Sequence, residues 1–144
     1  MLVSQILKSK SNGGVVTSLP GMLVSDAAKE LSEKRIGTLV ISADGKTPLG
    51  ILSERDIVRE LGKQGAAVLT LSVDKLMTSK LVTCSRDDRA DEVLKKMTEG
   101  RFRHMPVLEN GELRGLISLG DVVKARLTEL AMEKNALEGM IMGH

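Results

Sequence analysis

One pattern of residues occurs twice in this chain, and this internal repeat limits the possible folds more than any other feature. In each copy, apolar residues recur at the spacing that places them on one face of a helix. They are Val24, Ala27, Ala28 and Leu31 in the first copy and Ala90, Val93, Leu94 and Met97 in the second. A basic residue follows each predicted helix at the same offset, Arg35 in one copy and Arg101 in the other. A unit of half this length buries little core alone, so we expect the two units to need each other.

Two short apolar stretches follow each helix and predict a pair of strands. Each stretch is too short for a helix, and a turn signal separates the two. In the first copy they are 38–41 and 49–52, with Asp44-Gly45 between them. In the second copy they are 104–108 and 113–117, with Asn110-Gly111 between them. Both dipeptides tolerate the positive φ angles of tight turns.

The two copies also open and close alike, which completes the predicted fold. An opening segment at 3–7 or 73–77 precedes a short strand at 15–17 or 81–83, and a helix begins after the last strand. The order strand, helix, strand, strand, helix predicts a mixed α/β (α+β) unit with helices on a small sheet. We expect repeat one at 1–62, a Gly/Ala-rich linker at 63–71, repeat two at 72–130 and a helical extension at 131–144, with Gly62 ending the last helix of repeat one.

The helix that closes the second copy continues beyond the repeat. Apolar residues at alternating spacings of four and three form a seam that suits a partner helix, with a lysine as its polar break. The seam consists of Val123, Leu127, Leu130, Lys134, Leu137 and Ile141. A helix folded back on its own chain would explain the same spacing, so both arrangements stay open.

A glycine, two apolar residues, a serine, two residues and an aspartate occur in this order at the same point of both copies, at 50–56 and 115–121. A helix N-terminus suits a phosphate, to which the hydroxyl of Ser53 or Ser118 can also donate. An aspartate in the first turn, Asp56 or Asp121, can accept hydrogen bonds from two ribose hydroxyls. The glycine would let the strand approach the ligand closely. A serine followed three residues later by an aspartate is also a common helix cap, and capping alone would explain the pattern.

Basic residues near the second motif could hold a phosphate. Arg103 and His104 enter the predicted strand that carries Pro106, and arginine offers planar donors. The first copy has Gly37-Thr38 at the matching places, so the two sites would not be equivalent. The basic pair could instead be a solvated strand entry, and the proline could mark an edge strand.

Two further residues have both a functional and a structural interpretation. Arg55 could reach a phosphate, or it could pair with Glu54 or Glu60 on the helix surface, which we favour. Cys84 could be redox-active, but no second cysteine is present to resolve it. A small buried apolar side chain is the better interpretation of this cysteine.

Composition and the missing motifs argue against several classes of protein. The net charge of +2 is too balanced for a duplex-DNA surface, and the lack of Trp and Tyr argues against binding single strands by stacking. There is no export signal and no apolar stretch of membrane-spanning length, so we predict a cytoplasmic protein that contacts no membrane. Hydrolase, metalloprotease and P-loop motifs are absent, and the sequence has two histidines. We therefore predict no enzyme, no catalytic residue and no metal site.

Two tandem units, each ending in Gly-apolar-apolar-Ser-x-x-Asp, resemble a pair of cystathionine-β-synthase (CBS) domains, also called a Bateman module. The most family-like part runs from Arg101 to Val107, followed by Asn110-Gly111 and by 115–118. The resemblance covers nearly the whole chain, which looks like a CBS pair with no attached enzyme or transporter. It implies two β-α-β-β-α repeats packed with pseudo-twofold symmetry. It also implies two clefts for AMP, ADP, ATP, NAD(H) or S-adenosylmethionine, with no cofactor required.

The resemblance assigns roles to individual residues by position. The aspartates would bind ribose, the serines ribose or phosphate, the basic pair phosphate, and the threonines and a methionine would line adenine, partly through their backbone. The nucleotide-binding set is Thr17, Thr38, Ser53, Arg55, Asp56, Thr83, Arg103, His104, Met105, Pro106, Ser118 and Asp121. The first copy has Val40 in place of Pro106 and lacks the basic pair, so we expect the Asp121 site to prefer a phosphorylated adenosine.

Two functions agree with these observations. The leading hypothesis is a regulatory, signal-transduction module that binds an adenine nucleotide, forms a homodimer as family members usually do, and acts on a regulated protein of unknown identity. The alternative is a structural dimerisation or protein-interaction domain without a ligand, whose Ser-x-x-Asp motifs only cap helices. An enzyme that uses Cys84 or His104 is a third and weaker hypothesis.

Overall fold

The computed structural model describes residues 1–10 and 15–141. Within them the chain forms α1 (Val3–Ser9), β1 (Thr17–Ser18), α2 (Val24–Lys34), β2 (Thr38–Ile41), β3 (Gly50–Ser53), α3 (Glu54–Gln64), α4 (Ala90–Gly100), β4 (His104–Glu109), β5 (Glu112–Ser118) and α5 (Leu119–Ile141). Two short 3₁₀ helices, Ala66–Thr70 and Val73–Lys75, lie between α3 and α4. The mixed α/β fold and the long C-terminal helix expected from the sequence are confirmed.

The chain divides into two compact units that do not follow the repeat along the sequence. The first-repeat unit consists of Gly14–Val82 and Asn110–Arg114. The second-repeat unit consists of Met1–Gly13, Thr83–Glu109 and Gly115–His144. The opening segment of each repeat therefore belongs to the unit of the other repeat. The domain boundaries predicted from the sequence describe the repeat and stay a prediction.

The first-repeat unit is built on a three-stranded sheet with the order β1-β2-β3. β1 is parallel to β2, with α2 as the crossover between them, and β2 is antiparallel to β3, with Thr38 opposite Ser53. This register puts the start of α3 at the end of the sheet where β2 begins. The buried core is Val24, Ala27, Leu31, Leu39, Ile41, Leu52, Ile57, Val68, Val73 and Leu76.

The second-repeat unit contains β4 and the part of β5 from Gly115 to Ser118, packed with α1, α4 and α5. Asn110 and Gly111 connect β4 to β5 with φ angles of 53° and 78°, as the Asn-Gly signal predicts. The predicted strand at 81–83 is wrong, because the chain here pairs only at Cys84, opposite Val107. The chain then turns away, and the carbonyls of Arg86 and Asp88 accept hydrogen bonds from the start of α1.

The first helix completes the core of the second-repeat unit. Val3 is fully buried and Ile6 is 2% exposed, and both pack with residues of α4 such as Val93 and Met97. The backbone holds the same arrangement, because the N–H of Val3 donates to the Asp88 carbonyl at 2.8 Å. Opening segments are thus exchanged between the repeats, since Val73 lies equally buried in the core of the first-repeat unit.

The end of α3 differs from the sequence prediction. Gly62 lies inside the helix, which continues to Gln64. Gly65 ends it with a φ angle of 78°, and its N–H donates to the Leu61 carbonyl at 2.9 Å. The predicted linker therefore starts with the last turn of a helix and then buries Val68 completely.

The C-terminal helix stands clear of its own unit over much of its length. Its buried residues are Val122 and Ala125, near the start. The seam residues Leu127, Leu137 and Ile141 are 63%, 60% and 84% exposed. The alternative in which this helix folds back on its own chain is therefore wrong for the part that the structure describes. Residues 142–144 of the predicted extension lie outside the described residues.

We predict that Ile6→Ala destabilises the protein by about 2–4 kcal/mol, because it leaves a cavity in the core of the second-repeat unit. The measurement is chemical unfolding followed by far-UV circular dichroism, since the sequence has no Trp or Tyr. Lys8→Ala, at an exposed position of the same helix, is the control and should change stability little. Equal effects of the two substitutions would contradict the packing of α1.

Candidate functional site

The first Ser-x-x-Asp motif forms a capping box where β3 meets α3. The Asp56 N–H donates to Ser53 Oγ at 3.2 Å, and the Ser53 N–H donates to Asp56 Oδ2 at 2.9 Å. Arg59 Nη2 donates to Asp56 Oδ1 at 3.0 Å. Asp56 is only 8% exposed, so its carboxylate is held at the helix start and largely withdrawn from bulk solvent.

The second motif has the same geometry where β5 meets α5. The Asp121 N–H donates to Ser118 Oγ at 3.1 Å, and the Ser118 N–H donates to Asp121 Oδ2 at 2.9 Å. The partner cation differs, because Lys10 Nζ donates to Asp121 Oδ2 at 2.9 Å and also to the Leu116 carbonyl at 2.9 Å. Lys10 follows α1 in the opening segment, so the exchange of segments brings this lysine to the site.

Electrostatics at the second motif favour an ionised aspartate. Burial raises the pKa of Asp121, but the hydrogen bonds from the Ser118 N–H and from Lys10 outweigh it. The pKa of this carboxyl therefore lies below its ordinary value. A charged acceptor is therefore favoured at neutral pH, and the charge would strengthen a hydrogen bond from a sugar hydroxyl.

The glycine of each motif makes room for a side chain of the exchanged opening segment. A Cβ atom added to Gly115 would lie 2.6 Å from Leu7 Cδ2, and one added to Gly50 would lie 2.5 Å from Met77 Sδ. Leu7 and Met77 hold matching positions in the two opening segments. The sequence interpretation assigned this space to a ligand, whereas the structure fills it with core side chains.

The matching geometry of the two motifs agrees with the comparison to known families, because the CBS domain model matches residues 4–63 and again residues 73–128. The chain belongs to the CBS domain family. A mitochondrial CBS domain-containing protein of Arabidopsis thaliana is 31% identical to it, over 98% of this chain and 72% of that protein. The chain is thus a CBS pair over nearly its whole length, as the resemblance implied.

Solved structures show the same fold. A CBS-domain containing protein from Agrobacterium tumefaciens has a TM-score of 0.81 and 46% identity, over 88% of this chain and 99% of that one. A CBS domain protein from Pyrobaculum aerophilum, solved in complex with AMP, has a TM-score of 0.77 and 29% identity, over 92% of this chain and 99% of that one. At least one structural relative of this CBS pair therefore binds an adenosine ligand.

Backbone contacts show which residues of the two CBS repeats are equivalent. The Glu54 N–H donates to the Gly37 carbonyl at 2.9 Å, and the Leu119 N–H donates to the Arg103 carbonyl at 2.8 Å. Gly37 therefore matches Arg103, and the next residues, Thr38 and His104, match each other. Thr38 and His104 each follow the residue whose carbonyl accepts the first N–H of the helix, so each lies beside the capping box of its own repeat.

Met105 has a different environment from its strand neighbours. Its side chain is fully buried in the core of the second-repeat unit. Side chains alternate along a strand, so His104 and Pro106 lie on the opposite face from Met105. A contact of Met105 with adenine would therefore have to use its backbone. Pro106 is buried, and its carbonyl accepts a hydrogen bond from the Cys84 N–H at 3.0 Å.

The structure places the two remaining candidate threonines, Thr17 and Thr83, in different surroundings. Thr17 pairs with Val40 in the sheet, two positions along β2 from Thr38, and is half-buried. Thr17 also lines an open depression of about 730 Å³ at the opposite end of β2 from Asp56. Its other lining residues are Ser18, Leu19, Pro20, Gly21, Met22, Glu30 and Ala43. Thr83 is half-buried beside the bridge at Cys84.

The structure gathers basic side chains near Asp121. His104 is half-buried and Arg103 is exposed, and the charges of Lys10, Asp121 and Arg103 all act on the His104 ring. The sequence interpretation included Arg103 and His104 but missed Lys10. No signal in the sequence placed Lys10 here, because it precedes the motif of the first repeat rather than that of the second.

Cys84 is buried, as its interpretation as a small apolar side chain predicts. The surface pair that we favoured for Arg55, with Glu54 or Glu60, does not form among the described residues. Cys84 is 5% exposed, and burial followed by the charge of Asp88 raises the pKa of its thiol to about 12. A reactive thiolate is therefore absent at neutral pH. Arg55 is exposed and pairs with neither Glu54 nor Glu60, since Glu60 pairs with Arg59 in the described part of the chain.

Among residues 1–10 and 15–141, the structure brings together no group of three His, Cys, Asp or Glu side chains that could hold a metal ion. The same residues form no helix with the length and hydropathy required to cross a membrane.

We predict that Lys10→Ala raises the pKa of His104. Burial lowers the pKa of this imidazole from 6.5, and the Lys10 ammonium lowers it further by disfavouring a second positive charge. Because the pKa is lower in the folded state, the free energy of unfolding falls as the pH drops below about 6.5. NMR titration can follow His104 directly, because the sequence has two histidines and His144 serves as the reference. Lys8→Ala should leave the His104 pKa unchanged; a His104 pKa that stays constant or falls in Lys10→Ala would contradict the position of Lys10.

Proposed function

We propose that this CBS pair is a non-catalytic regulatory module that binds an adenine nucleotide at Asp56 and Asp121. A helix cap needs only a serine and an aspartate, but the Lys10 and Arg103 charges and the His104 imidazole also lie near Asp121. This concentration of positive charge beside a sugar-binding type of carboxylate is the observation that carries the proposal. It fits a ligand with vicinal hydroxyls and a phosphate, and the relative from Pyrobaculum aerophilum in complex with AMP supports the adenosine class.

In this proposal the second-repeat unit holds the phosphorylated ligand. Asp121 would accept hydrogen bonds from the ribose hydroxyls, with Ser118 beside it at the helix start. Arg103 and Lys10 would face the phosphate, since cationic donors form the strongest hydrogen bonds to it, and the His104 imidazole would donate through a ring N–H. Lys10 would exchange its contact with Asp121 for one with the phosphate when the ligand enters.

The first-repeat unit would bind a less highly charged group. Asp56 pairs with Arg59 on its own helix, and Thr38 stands where the other unit has His104. Gly37 and Thr38 stand where the other repeat has Arg103 and His104, so we expect a weaker preference for phosphate. AMP, ADP, ATP and NAD(H) all stay within the proposal, and a dinucleotide would use its two ends differently at the two aspartates.

One observation favours a second function, a structural or protein-interaction domain without a ligand. Both capping boxes are complete in the structure, since each aspartate already accepts the N–H of its serine. A cap of this kind stabilises a helix by about 1 kcal/mol and needs no further role. Ligand binding is the property that separates the two functions.

We expect calorimetric titration with AMP, ATP, NADH and S-adenosylmethionine to reveal at least one ligand that binds the wild type. Asp121→Asn should weaken its binding by about tenfold to a hundredfold, because charged hydrogen bonds to the ribose are lost. Asparagine can still accept the Ser118 N–H, so the fold should persist. Asp91→Asn, in the exposed first turn of α4, is the matched control and should bind like the wild type. Absence of binding by all four compounds would favour the structural domain.

Lys10→Ala should distinguish the contribution of the phosphate to binding from that of the adenosine. Loss of the ammonium should weaken AMP binding about fivefold to tenfold but leave adenosine binding unchanged or tighter, since Asp121 no longer has to release a lysine. Lys8→Ala should affect neither compound. An equal loss for AMP and adenosine would contradict the role of Lys10 at the phosphate.

The proposal also covers regulation of a partner protein, the oligomeric state and the cellular location. Ligand occupancy would be transmitted to a regulated protein, because a ligand that binds one state better shifts the population toward it. The homodimer implied by the family and the cytoplasmic location expected from the sequence are included, although the Arabidopsis thaliana relative is named as mitochondrial. Incubation with each nucleotide should give no turnover, whereas any product would overturn the non-catalytic role.

A further inference from the structure

The C-terminal half of α5 presents apolar side chains that the described chain does not cover. Up to Glu129 the helix is attached to its own unit, where the N-terminal amine of Met1 and the Arg126 guanidinium both pair with the Glu129 carboxylate. From Ala131 to Ile141 every residue except Gly139 is exposed. A helical segment of this length is marginal in water unless an apolar face packs against a partner.

Five of the exposed apolar residues of α5 follow the repeat of a two-helix interface. Alternating spacings of four and three place Val123, Leu127, Leu130, Lys134, Leu137 and Ile141 on one line along the helix. Leu130 is 49% exposed and Leu137 is 60% exposed, so this line is open at its centre. The line is narrow, which suits one further helix rather than the face of a sheet.

Charges along this line argue against a parallel pair of identical helices. In a parallel pair each residue of the line faces its own copy, so Lys134 would meet Lys134. Flanking residues would also meet as like charges, because Glu133 of one helix would lie beside Glu138 of the other. A parallel homodimer would therefore bring together one pair of buried cations and two pairs of acids.

An antiparallel pair of the same helices removes most of these conflicts. With Met132 of each helix level with its copy, Lys134 lies opposite Leu130, and Leu127 lies opposite Leu137. Lys124 of each helix then flanks Glu138 of the other, which gives two attractive pairs. One repulsive pair is left, Glu133 with its own copy at the exposed flank.

We propose that the exposed line of α5 residues from Val123 to Ile141 is the interface with a second copy of this chain, whose α5 lies antiparallel with the two Met132 residues level. The lysine stem packs against Leu130 of the second copy, and its ammonium reaches the solvent edge. Lys134 Nζ lies 3.9 Å from Glu138 Oε1 of its own helix, and both side chains are exposed. The inference specifies the surface of the homodimer in the proposed function and does not depend on the nucleotide.

Sedimentation velocity of the full chain tests the surface. The wild type should be a dimer at micromolar concentration, and Leu130→Asp and Leu137→Asp should raise the dissociation constant at least about a hundredfold, because each buries a charge in the interface. Met132→Asp is the matched control, since Met132 is 61% exposed but lies on the opposite side of α5. It should leave the dimer intact.

The surface assignment is overturned by a monomeric wild type or by a dimer that survives both leucine substitutions. Circular dichroism of each variant checks that the fold is retained. The calorimetric titrations are separate, so a wrong interface and a wrong ligand give different patterns of failure.

Glu138→Lys tests the orientation of the two helices, because the parallel and antiparallel pairs predict opposite changes in the dissociation constant. In the antiparallel pair this substitution sets a new ammonium against Lys124 of the second copy, and the dissociation constant should rise about fivefold to tenfold. In a parallel pair it would relieve the repulsion by Glu133, and the dissociation constant would fall. The double variant Lys124→Glu with Glu138→Lys should restore the wild-type value in the antiparallel pair. A tighter dimer in the single variant, or no restoration in the double one, overturns the antiparallel arrangement.

Discussion

Reciprocal hydrogen bonds between a serine and an aspartate at each strand-to-helix junction are the constraint on which the rest of this protein depends. Each pair fixes where a strand ends, where a helix begins and where a carboxylate is held. The same contacts hold that carboxylate close to a helix N-terminus, where anions are readily bound. In the proposed function the ligand would bind the same atoms that cap the helix, and a capping motif alone does not distinguish the two roles.

Exchange of the opening segments makes the two junctions unequal. Leu7 fills the space beside Gly115, and Met77 fills the space beside Gly50, so the core contacts are alike in the two units. The ion-pair partners of the two aspartates differ. Lys10 of an opening segment contacts Asp121, whereas Asp56 pairs with Arg59 of its own helix. Duplication thus preserved the packing, and a change in the partner cation distinguishes the two carboxylates.

The strongest local patterns were sufficient to predict most of the fold. Residues 38–41 form β2 as expected, and both amphipathic helices bury the predicted apolar positions, such as Val24 and Ala90. Prediction failed where distant contacts decide: the strand expected at 81–83 is reduced to Cys84 because the next residues bind α1. Gly62 did not end α3, since glycine in a helix interior costs only about 1 kcal/mol, and Gly65 at positive φ ends the helix instead.

The sequence by itself determined the doubled unit, its family and the two Ser-Asp junctions, because these depend on contacts within a few residues and on periodicity. Only the tertiary structure decided which unit each opening segment joins, that Lys10 faces Asp121, that Met105 points into the core and that the α5 line stays exposed. Those outcomes depend on residues far apart in the chain, such as Lys10 and Asp121. A local pattern carries no information about such a pairing, since it arises from the free energy of packing the whole unit.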